Sequence, residues 1–371
     1  MNALHNNDLI YQLSLSFIPQ IGSVQARILI DHFGDAKAIF KAKKDALGRL
    51  DGIGTVRANS IKSFTDFNKA EDEIRFMEKY KITPLFLSNK NYPQRLLNCY
   101  DPPTILYYRG TADLNTTKII ALVGTRNNSE YGRIITEELV SSLHPLQPLI
   151  VSGLAFGIDA IAHKAALKNN LPTVAVLAHG LDCIYPSQHT QLAKNIIRES
   201  GGLLTEFSSA TKPDKHNFPS RNRVVAGMCD ATIVIETGIK GGSVITADLA
   251  NAYNRDVFAI PGRTSDIKSA GCNHLIKNNK AILLTDAEQL IEVMGWNENN
   301  VAVKSKQKLL FIDLTAEEKI IVEILREKQI ASIDEINLKS GLSSSSVAAA
   351  ILNLEMQTVI YSMPGKIYSL Y

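Results

Sequence analysis

Two apolar runs and a glycine-rich loop between Asp230 and Gly262 constrain the fold of this chain more than any other stretch. The runs, Ala231–Glu236 and Asp256–Ile260, flank an apolar helix, a pattern typical of a parallel βαβ unit whose strands are covered on both faces. The loop Gly238–Ser243 places glycines and one lysine at the helix start, which is chemistry suited to holding a phosphate. A plain strand-to-helix turn explains the glycines equally well, so the loop alone leaves both interpretations open.

Strands and helices alternate from Lys118 to about Gly295. The predicted strands are Ile119–Val123, Pro148–Ser152, Thr173–Ala178, Leu203–Phe207, Ala231–Glu236, Asp256–Ile260 and Ala281–Leu284. The predicted helices are Glu130–Leu143, Ile158–Lys168, Gln188–Glu199, Arg221–Gly227, Val244–Tyr253, His274–Asn278 and Ala287–Val293. This alternation predicts an α/β fold, an extended Rossmann-like doubly wound parallel sheet, with ligands bound beyond the carboxyl ends of the strands.

The chain is predicted to contain three domains and one linker. Residues 1–80 read as a helical domain, 81–296 as the Rossmann-like domain, 297–309 as a polar linker and 310–371 as a winged helix. Within the second domain, a proline-containing strap over 91–110 follows a strand at Thr83–Leu87 and leads into the alternating region.

Two glycine turns, at Gly22 and Gly54, make the first domain similar to helix-hairpin-helix modules, which point backbone N–H groups at a DNA phosphate. Arg27 and Arg57 follow the turns near the start of a helix, although they are not in register. Phosphate contact and simple packing both remain open, with packing favoured. In the winged helix, the third helix contains no Lys or Arg, which favours protein contact or packing over reading of a DNA groove.

Composition excludes several classes of protein. Forty basic and thirty-seven acidic side chains give a net charge of +3, so nucleic-acid binding would require a local cluster of charge. The four cysteines are scattered without a CxxC pair, which argues against zinc or disulfides and fits a reducing cytosol. We expect no signal peptide and no membrane span, and therefore a cytoplasmic protein. Neither GxGxxG nor GxxxxGK[ST] occurs, so we expect no nucleotide cofactor.

Basic, hydroxyl and aromatic residues gather where the predicted strands end or where the next loop follows. The basic residues are Arg126, Arg221, Arg223 and Lys240; the hydroxyls are those of Thr125, Ser152 and Ser243; the aromatic residues are Phe156 and Phe218. Cations follow a phosphate backbone, and flat rings stack on bases of any identity. We interpret this edge of the sheet as a polyanion site, with the segment from Phe218 to Arg223 in a loop.

Seven motifs, in order, resemble those of the DNA processing protein A (DprA/Smf) family. They are GTRNNSEYG, SGLAFGIDAIAH, AHGLDCIYP, GGLLTEF, FPSRNRVVAG, IETGIKGGS and FAIPG. The resemblance implies a dimeric, non-enzymatic protein that binds and protects single-stranded DNA and delivers it to the RecA recombinase in natural transformation. By motif match, it implies DNA contacts at Gly124, Arg126, Ser152, Phe156, Phe218, Arg221, Asn222, Arg223 and Lys240.

Two other functions compete with this interpretation. The segment KGGSVITAD also resembles the PGGxGTxxE loop of phosphoribohydrolases acting on nucleoside monophosphates, with Asp248 in the place of the acidic residue. Glu236, His179 and Asp159 are further acid–base candidates, although structural roles are favoured for each. A protein-binding adaptor is the third reading, and it requires that acidic side chains neutralise the basic edge.

Overall fold

A computed structural model describes residues 3–296, 314–357, 359–363 and 365–370. The predicted linker, 297–309, lies outside the described residues. Across the described part of the chain, no helix combines the length and the apolar character that crossing a membrane requires.

Six helices form the first part of the chain. They are α1 (Ala3–Phe17), α2 (Ser23–Phe33), α3 (Ala36–Lys41), α4 (Lys44–Gly48), α5 (Gly54–Ser63) and α6 (Asn68–Tyr80). Arg27 donates hydrogen bonds to the carbonyl oxygens of Leu97 (3.0 Å) and Cys99 (2.8 Å). Arg57 donates to the carbonyl oxygens of Gln20 and Gly52, both at 3.1 Å. Both guanidinium groups therefore hold the fold together, which supports the packing interpretation of these arginines.

A nine-stranded sheet follows, in the spatial order β1-β2-β6-β5-β4-β3-β7-β8-β9. Its strands are β1 (Thr83–Phe86), β2 (Ile105–Gly110), β3 (Ile119–Val123), β4 (Leu149–Ser152), β5 (Thr173–Val176), β6 (Gly202–Thr205), β7 (Ala231–Val234), β8 (Asp256–Ala259) and β9 (Ile282–Leu283). Strands β3, β4, β5, β7, β8 and β9 are parallel to all of their neighbours, and β6 is parallel to β5, as the alternation predicted. Because β4 and β7 lie on either side of β3, the order of the strands reverses between β3 and β7.

The helices associated with this sheet cover both of its faces. They are α7 (Gln94–Leu97), α8 (Glu130–Ser142), α9 (Ile158–Lys168), α10 (Thr190–Arg198), α11 (Asn217–Gly227), α12 (Gly242–Ala252), α13 (Ala270–Lys277) and α14 (Ala287–Val293). Alternate residues of β3 enter different cores: Ile119 and Ala121 join the cluster shared with the helical domain, whereas Ile120 and Leu122 join the cluster on the opposite face.

The strap differs from its prediction, because it contains a strand. Strand β2 pairs antiparallel with β6, with Tyr107 opposite Thr205, and β1 pairs antiparallel with β2. The prolines Pro102 and Pro103 precede β2, so they end the irregular segment without removing a hydrogen-bond donor from the strand. The parallel sheet thus gains two antiparallel strands at one edge.

The last part of the chain is a winged helix, as predicted. Its elements are α15 (Ala316–Lys328), β10 (Ile330–Ser332), α16 (Ile333–Ser340), α17 (Ser344–Met356), β11 (Ile360–Met363) and β12 (Ile367–Leu370). Thr315 with Glu318, and Ser332 with Glu335, form the two expected capping boxes at the starts of α15 and α16.

The winged helix docks on the sheet domain through α16. Arg255, 6% exposed in its side chain, pairs with Asp334 at 2.8 Å, and the Asn98 amide donates to the same carboxylate at 3.1 Å. Ser344, in the first turn of α17, donates to the carbonyl oxygen of Asn98 at 3.1 Å. The start of the third helix is therefore used for packing within this chain, which agrees with its lack of Lys and Arg.

Candidate nucleic-acid interface

The loops that follow β3 and β7 flank the point where the strand order reverses. We call the space between them the switch cleft; its lining includes Gly124, Thr125, Arg126, Asp159, Phe218, Arg221, Asn222, Gly241 and Ser243. In open α/β sheets, ligands bind in the crevice at such a point, beyond the carboxyl ends of the strands.

Two exposed cations stand on the loops beside the switch cleft. Arg126 follows β3 and Lys240 precedes α12, and both side chains are exposed. Among the ion pairs of the described residues, none involves Arg126 or Lys240. A protein-binding adaptor would need acidic side chains that neutralise the basic edge. Arg126 and Lys240 do not meet this condition.

The start of α12 offers groups for an anion. Gly241 is the N-cap and supplies no side-chain cap, so the first-turn N–H groups have no side-chain acceptor there. Ser243, 6% exposed, lines the switch cleft and its hydroxyl has no hydrogen-bond partner in the described structure. A helix N-terminus and a free hydroxyl in one cleft can hold a phosphate oxygen.

Arg221 lies beneath the surface between the two loops. Its side chain is buried and donates to the carbonyl oxygens of Gly153 and, at 3.0 Å, of Val176. A Cβ atom at Gly153 would collide with this guanidinium, so the close approach of Arg221 to the end of β4 requires glycine there. Arg221 therefore fixes the floor of the site and adds positive charge below it.

Asp159 is the buried carboxylate that faces Arg221. It accepts hydrogen bonds from the backbone N–H groups of Gly153 (3.2 Å) and Ala155 (3.4 Å). Burial raises the pKa of Asp159, and the nearby Arg221 charge opposes that shift. Asp159 therefore positions the loop after β4 rather than standing free for proton transfer.

A second depression, which we call the aromatic cleft, adjoins the switch cleft. Its lining includes Phe156, Tyr185, Phe218, Gly153 and Ala178, and it shares Arg126 and Arg221 with the switch cleft. The Arg126 guanidinium lies 5.0 Å from the centre of the Phe218 ring, and Phe156 is 44% exposed. Aromatic rings beside an exposed cation are the arrangement with which proteins hold single-stranded nucleic acids.

The segment from Phe218 to Arg223 was placed on a loop whose last residues overlap the predicted helix Arg221–Gly227, but the whole segment is helical. Helix α11 begins at Asn217, so Pro219 sits in its first turn, where its missing N–H would lack a partner anyway. Successive helical residues are rotated by about 100°, so Arg221 and Arg223 leave α11 in nearly opposite directions. Only Arg221 faces the clefts.

Arg223 is placed inside the protein. It donates to the carbonyl oxygen of Asp101 and to the carboxylate of Glu206, and its side chain is 14% exposed. Ser152 is also internal, with its hydroxyl donating to the carbonyl oxygen of Leu122 at 2.6 Å. Both side chains are occupied by structural contacts in this state.

Gly124 and Asn222 reach the switch cleft in different ways. Gly124 lets α9 approach the end of β3, because a Cβ atom there would lie 2.5 Å from Ile158 Cγ1. Asn222 is partly exposed and its side-chain oxygen accepts from Arg221 Nε at 3.0 Å. Six predicted contact residues thus line one or both clefts, Lys240 lies on the adjoining loop, and Ser152 and Arg223 line neither cleft.

The carboxylates that an enzyme would need are occupied by other partners. Asp248 pairs with Lys280 at 2.8 Å, and Glu236 accepts from the Ser129 backbone N–H at 2.8 Å and from the Ser129 hydroxyl. His179 is equally committed: Nδ1 donates to the Gly180 carbonyl oxygen and Nε2 accepts from the Tyr185 N–H. Burial lowers the pKa of His179, which agrees with a neutral ring. This set favours binding over phosphoribohydrolase chemistry.

The sequence analysis missed one residue of the site, Tyr185, which lines the aromatic cleft from the loop after β5. Tyr185 belongs to the motif AHGLDCIYP, to which no DNA contact was assigned. Nothing in the sequence around Tyr185 shows that its loop returns to the cleft.

Glu206, the partner of Arg223, predicts a pH dependence of stability. Burial raises its pKa to about 6 from 4.5, so the folded state holds the proton more tightly than the unfolded state. The stability that protonated Glu206 contributes is therefore complete below the pKa that Glu206 has in the unfolded chain. It is lost as pH rises through the pKa that Glu206 has in the folded protein. Between pH 4.5 and 7.5, wild type should lose on the order of 2 kcal/mol relative to Glu206→Gln, as measured by urea unfolding. A difference between the two proteins that stays constant with pH contradicts this assignment.

Models of three known families match successive parts of the chain. A helix-hairpin-helix motif matches residues 9–74, DNA recombination-mediator protein A matches 83–295, and the DprA winged helix domain matches 312–366. Among curated proteins, Protein Smf of Synechocystis sp. is 32% identical over 98% of this chain and 99% of its own length.

The solved structures that are similar to this chain include two of DNA processing protein A. DNA processing protein A of Streptococcus pneumoniae aligns with a TM-score of 0.64 and 32% identity, over 76% of this chain and 95% of that one. DNA processing protein A of Helicobacter pylori, described for its single-stranded DNA binding mode, aligns with a TM-score of 0.52 and 30% identity, over 57% of this chain and 94% of that one.

Proposed function

This chain belongs to the DprA/Smf family, and on that premise we propose that it binds single-stranded DNA along the switch cleft and the aromatic cleft. The observation that carries the proposal is the stack of Arg126 on Phe218, with the buried Arg221 guanidinium 5.9 Å from the same ring. Arg126 is an exposed cation on a partly buried ring and has no acidic partner among the described ion pairs. This arrangement suits a ligand that brings both phosphates and unpaired bases.

The DNA strand would be held by two kinds of contact, one to its phosphates and one to its bases. Arg126, Lys240 and the start of α12 would hold phosphates, because they present charge and N–H groups around the switch cleft. Phe218 and Phe156 would stack on bases, without reading which base is present. Duplex DNA buries its base faces in the helical stack, so this site should prefer single strands.

In the cell, we propose that the chain protects incoming DNA and loads the RecA recombinase during natural transformation. Membership of the family supports this role, as does the similarity to the protein of Helicobacter pylori that is described for single-stranded DNA binding. A non-enzymatic, cytoplasmic homodimer is part of the same proposal. The RecA step is tested by mixing the chain with RecA and single-stranded DNA and measuring filament assembly; unchanged assembly contradicts that step alone.

The binding step is tested with a labelled oligothymidine and a duplex of the same length. Fluorescence anisotropy should show tighter binding of the single strand, with affinity falling as salt rises, at a log–log slope of about −0.7 per phosphate neutralised. Nucleoside monophosphates incubated with the protein should yield no free base. Equal affinity for both DNA forms, or a flat response to salt, contradicts the proposal.

A further inference from the structure

The positive charge of this chain is concentrated in the second half of the helical domain. From the start of α3 to the end of α5, residues 36–63, the sequence contains seven basic and only two acidic side chains. This segment therefore carries +5, whereas the whole chain carries +3, so the remaining residues together carry −2. In a chain so close to neutrality, binding of a polyanion requires a local cluster of this kind.

Six of these cations form a surface that we call the basic face: Lys37, Lys41, Lys43, Lys44, Arg49 and Lys62. Lys37 is partly exposed and the other five are exposed. Lys37 and Lys41 are four residues apart, so they lie on the same side of α3. The Lys62 ammonium donates to the carbonyl oxygen of Phe40 at 2.7 Å, which brings the charge of α5 to the end of α3, beside Lys41.

The protein does not neutralise the basic face with its own carboxylates. None of the six side chains takes part in the ion pairs of the described residues. Other exposed cations, such as Arg75, Arg133 and Lys280, do pair with carboxylates. The six cations of the basic face are therefore available to an anion from outside the chain.

Two lysines of the basic face occupy positions that disfavour a purely structural role. Lys43 is the N-cap of α4 and makes no side-chain cap, and Lys44 is the first residue of that helix. An N-cap side chain stabilises a helix by accepting a hydrogen bond, which an ammonium cannot do. A cation at the amino end of a helix also opposes the helix dipole. An external anion explains both lysines better than helix stability does.

The basic face is distinct from the glycine turns of the helix-hairpin-helix motif. The arginines at those turns, Arg27 and Arg57, donate to backbone carbonyl oxygens within this chain. The Gly22 N–H donates to Gln25 Oε1 at 3.2 Å. These groups are occupied by internal contacts, whereas the six cations lie at the surface on the helices that follow the first turn.

The basic face offers charge without rings on which bases could stack. Phe40 and Phe64 are partly buried, and their ring centres lie 5.5 Å and 5.4 Å from that of Phe67, inside the helical domain. A surface of this kind contacts the phosphate backbone alone. Duplex DNA carries one charge per about 1.7 Å of its axis, against about 3.4 Å for one strand, so such a surface favours the duplex.

The helical domain is fixed to the edge of the sheet that bears the two clefts. Glu73 of α6, 5% exposed, accepts hydrogen bonds from the backbone N–H of Ser209 at 3.0 Å and from its hydroxyl at 2.5 Å. Ser209 follows β6, which runs parallel to β5, so this contact lies beyond the carboxyl ends of the strands. The basic face and the clefts thus belong to domains that meet at one edge.

We propose that the basic face binds the phosphate backbone of duplex DNA. With a single strand in the clefts, the chain would then hold DNA at the point where a duplex continues into a single strand. This second surface goes beyond the proposed single-strand binding, and its test does not depend on that binding.

The test measures fluorescence anisotropy of a blunt-ended duplex and of a short oligothymidine, each mixed with the full chain. Lys41→Ala/Lys43→Ala/Lys44→Ala should weaken duplex binding about 10-fold or more at low salt, and should lower the magnitude of the salt slope by about 2.7, because three contacts are lost at about 0.9 each. Oligothymidine, which binds more tightly than the duplex, should bind this variant almost as it binds wild type. Lys41→Arg/Lys43→Arg/Lys44→Arg keeps the charge and should keep the duplex affinity.

The matched control removes three exposed lysines from the helices α9 and α10. Lys164, Lys168 and Lys194 also stand outside the ion pairs of the described residues. Lys164→Ala/Lys168→Ala/Lys194→Ala should bind the duplex almost as wild type does. Arg126→Ala/Lys240→Ala should weaken oligothymidine binding and spare binding of the blunt duplex.

The outcomes separate the basic face from the clefts. Duplex binding that survives the alanine substitutions, or that falls equally in the control, would overturn the proposal. A loss in the arginine variant as large as in the alanine variant would assign the lysines a structural role and overturn it too. Wild type that binds phosphatidylglycerol vesicles but no duplex would assign the basic face to a membrane instead. Duplex binding lost only in the alanine variant would support the basic face, even if oligothymidine binding failed and refuted the clefts.

Discussion

The double variant Arg126→Ala/Lys240→Ala should bind single-stranded DNA roughly 100-fold or more weakly than wild type. Each substitution removes one charged contact to a phosphate, and hydrogen bonds to charged groups contribute about 1.5–3 kcal/mol each. Both side chains are exposed and stand outside the ion pairs of the described residues, so their removal should leave the fold intact. The loss should be the same for every base sequence, because phosphates carry no sequence information.

The control removes the same charge from the opposite edge of the sheet. Lys168 and Arg198 are exposed in the last turns of α9 and α10, which end near the amino ends of the parallel strands. Lys168→Ala/Arg198→Ala should therefore bind almost as wild type does, and its salt slope should hardly change. The Arg126→Ala/Lys240→Ala variant should lose about 1.4 from the magnitude of that slope. Similar losses in both variants would mean that net charge, not the site, sets the affinity.

Arg255→Ala should lower the free energy of unfolding by about 3–5 kcal/mol, because it leaves buried partners without their cation. Arg255 pairs with Asp334 and donates to the carbonyl oxygens of Arg95 (2.7 Å) and Gly227 (3.4 Å). The same change removes the main ion pair between the winged helix and the sheet domain. Urea unfolding measures the loss.

An exposed pair in the same region supplies the control for Arg255. Lys280 pairs with Asp248 at 2.8 Å, and both side chains are about half-exposed. Lys280→Ala should cost less than about 1 kcal/mol, since solvent screens such pairs. If Arg255→Ala were no more destabilising than Lys280→Ala, the winged helix would not be anchored by this contact.

Local patterns in the sequence were enough to predict the parallel sheet and the helix caps. Apolar runs placed β3 and β7 within a residue or two, and the Thr315–Glu318 and Ser332–Glu335 spacings identified two helix starts. These features depend on neighbouring residues and on burial from both faces. Strand β2 was missed because its partner, β6, lies almost a hundred residues further along the chain.

The sequence was enough to predict which loops form the candidate site, but not the direction in which each side chain points. Arg126 and Lys240 lie on loops at one sheet edge, and the topology alone brings those loops together. Arg223 was assigned to the site by its motif and its position near the sheet edge; with α11 starting at Asn217, Arg223 turns inward to Glu206. Tyr185 could not be assigned a role without knowing that its loop returns to face Phe218.

Photo-cross-linking tests the central claim, that single-stranded DNA lies along the two clefts, most directly. An oligonucleotide with bromodeoxyuridine at each position would be bound, irradiated and digested, and the attached peptides identified by mass spectrometry. We predict cross-links in the peptides that contain Phe156, Tyr185 and Phe218, and their loss in the Arg126→Ala/Lys240→Ala variant. Cross-links confined to the helical domain or to the winged helix would contradict the account.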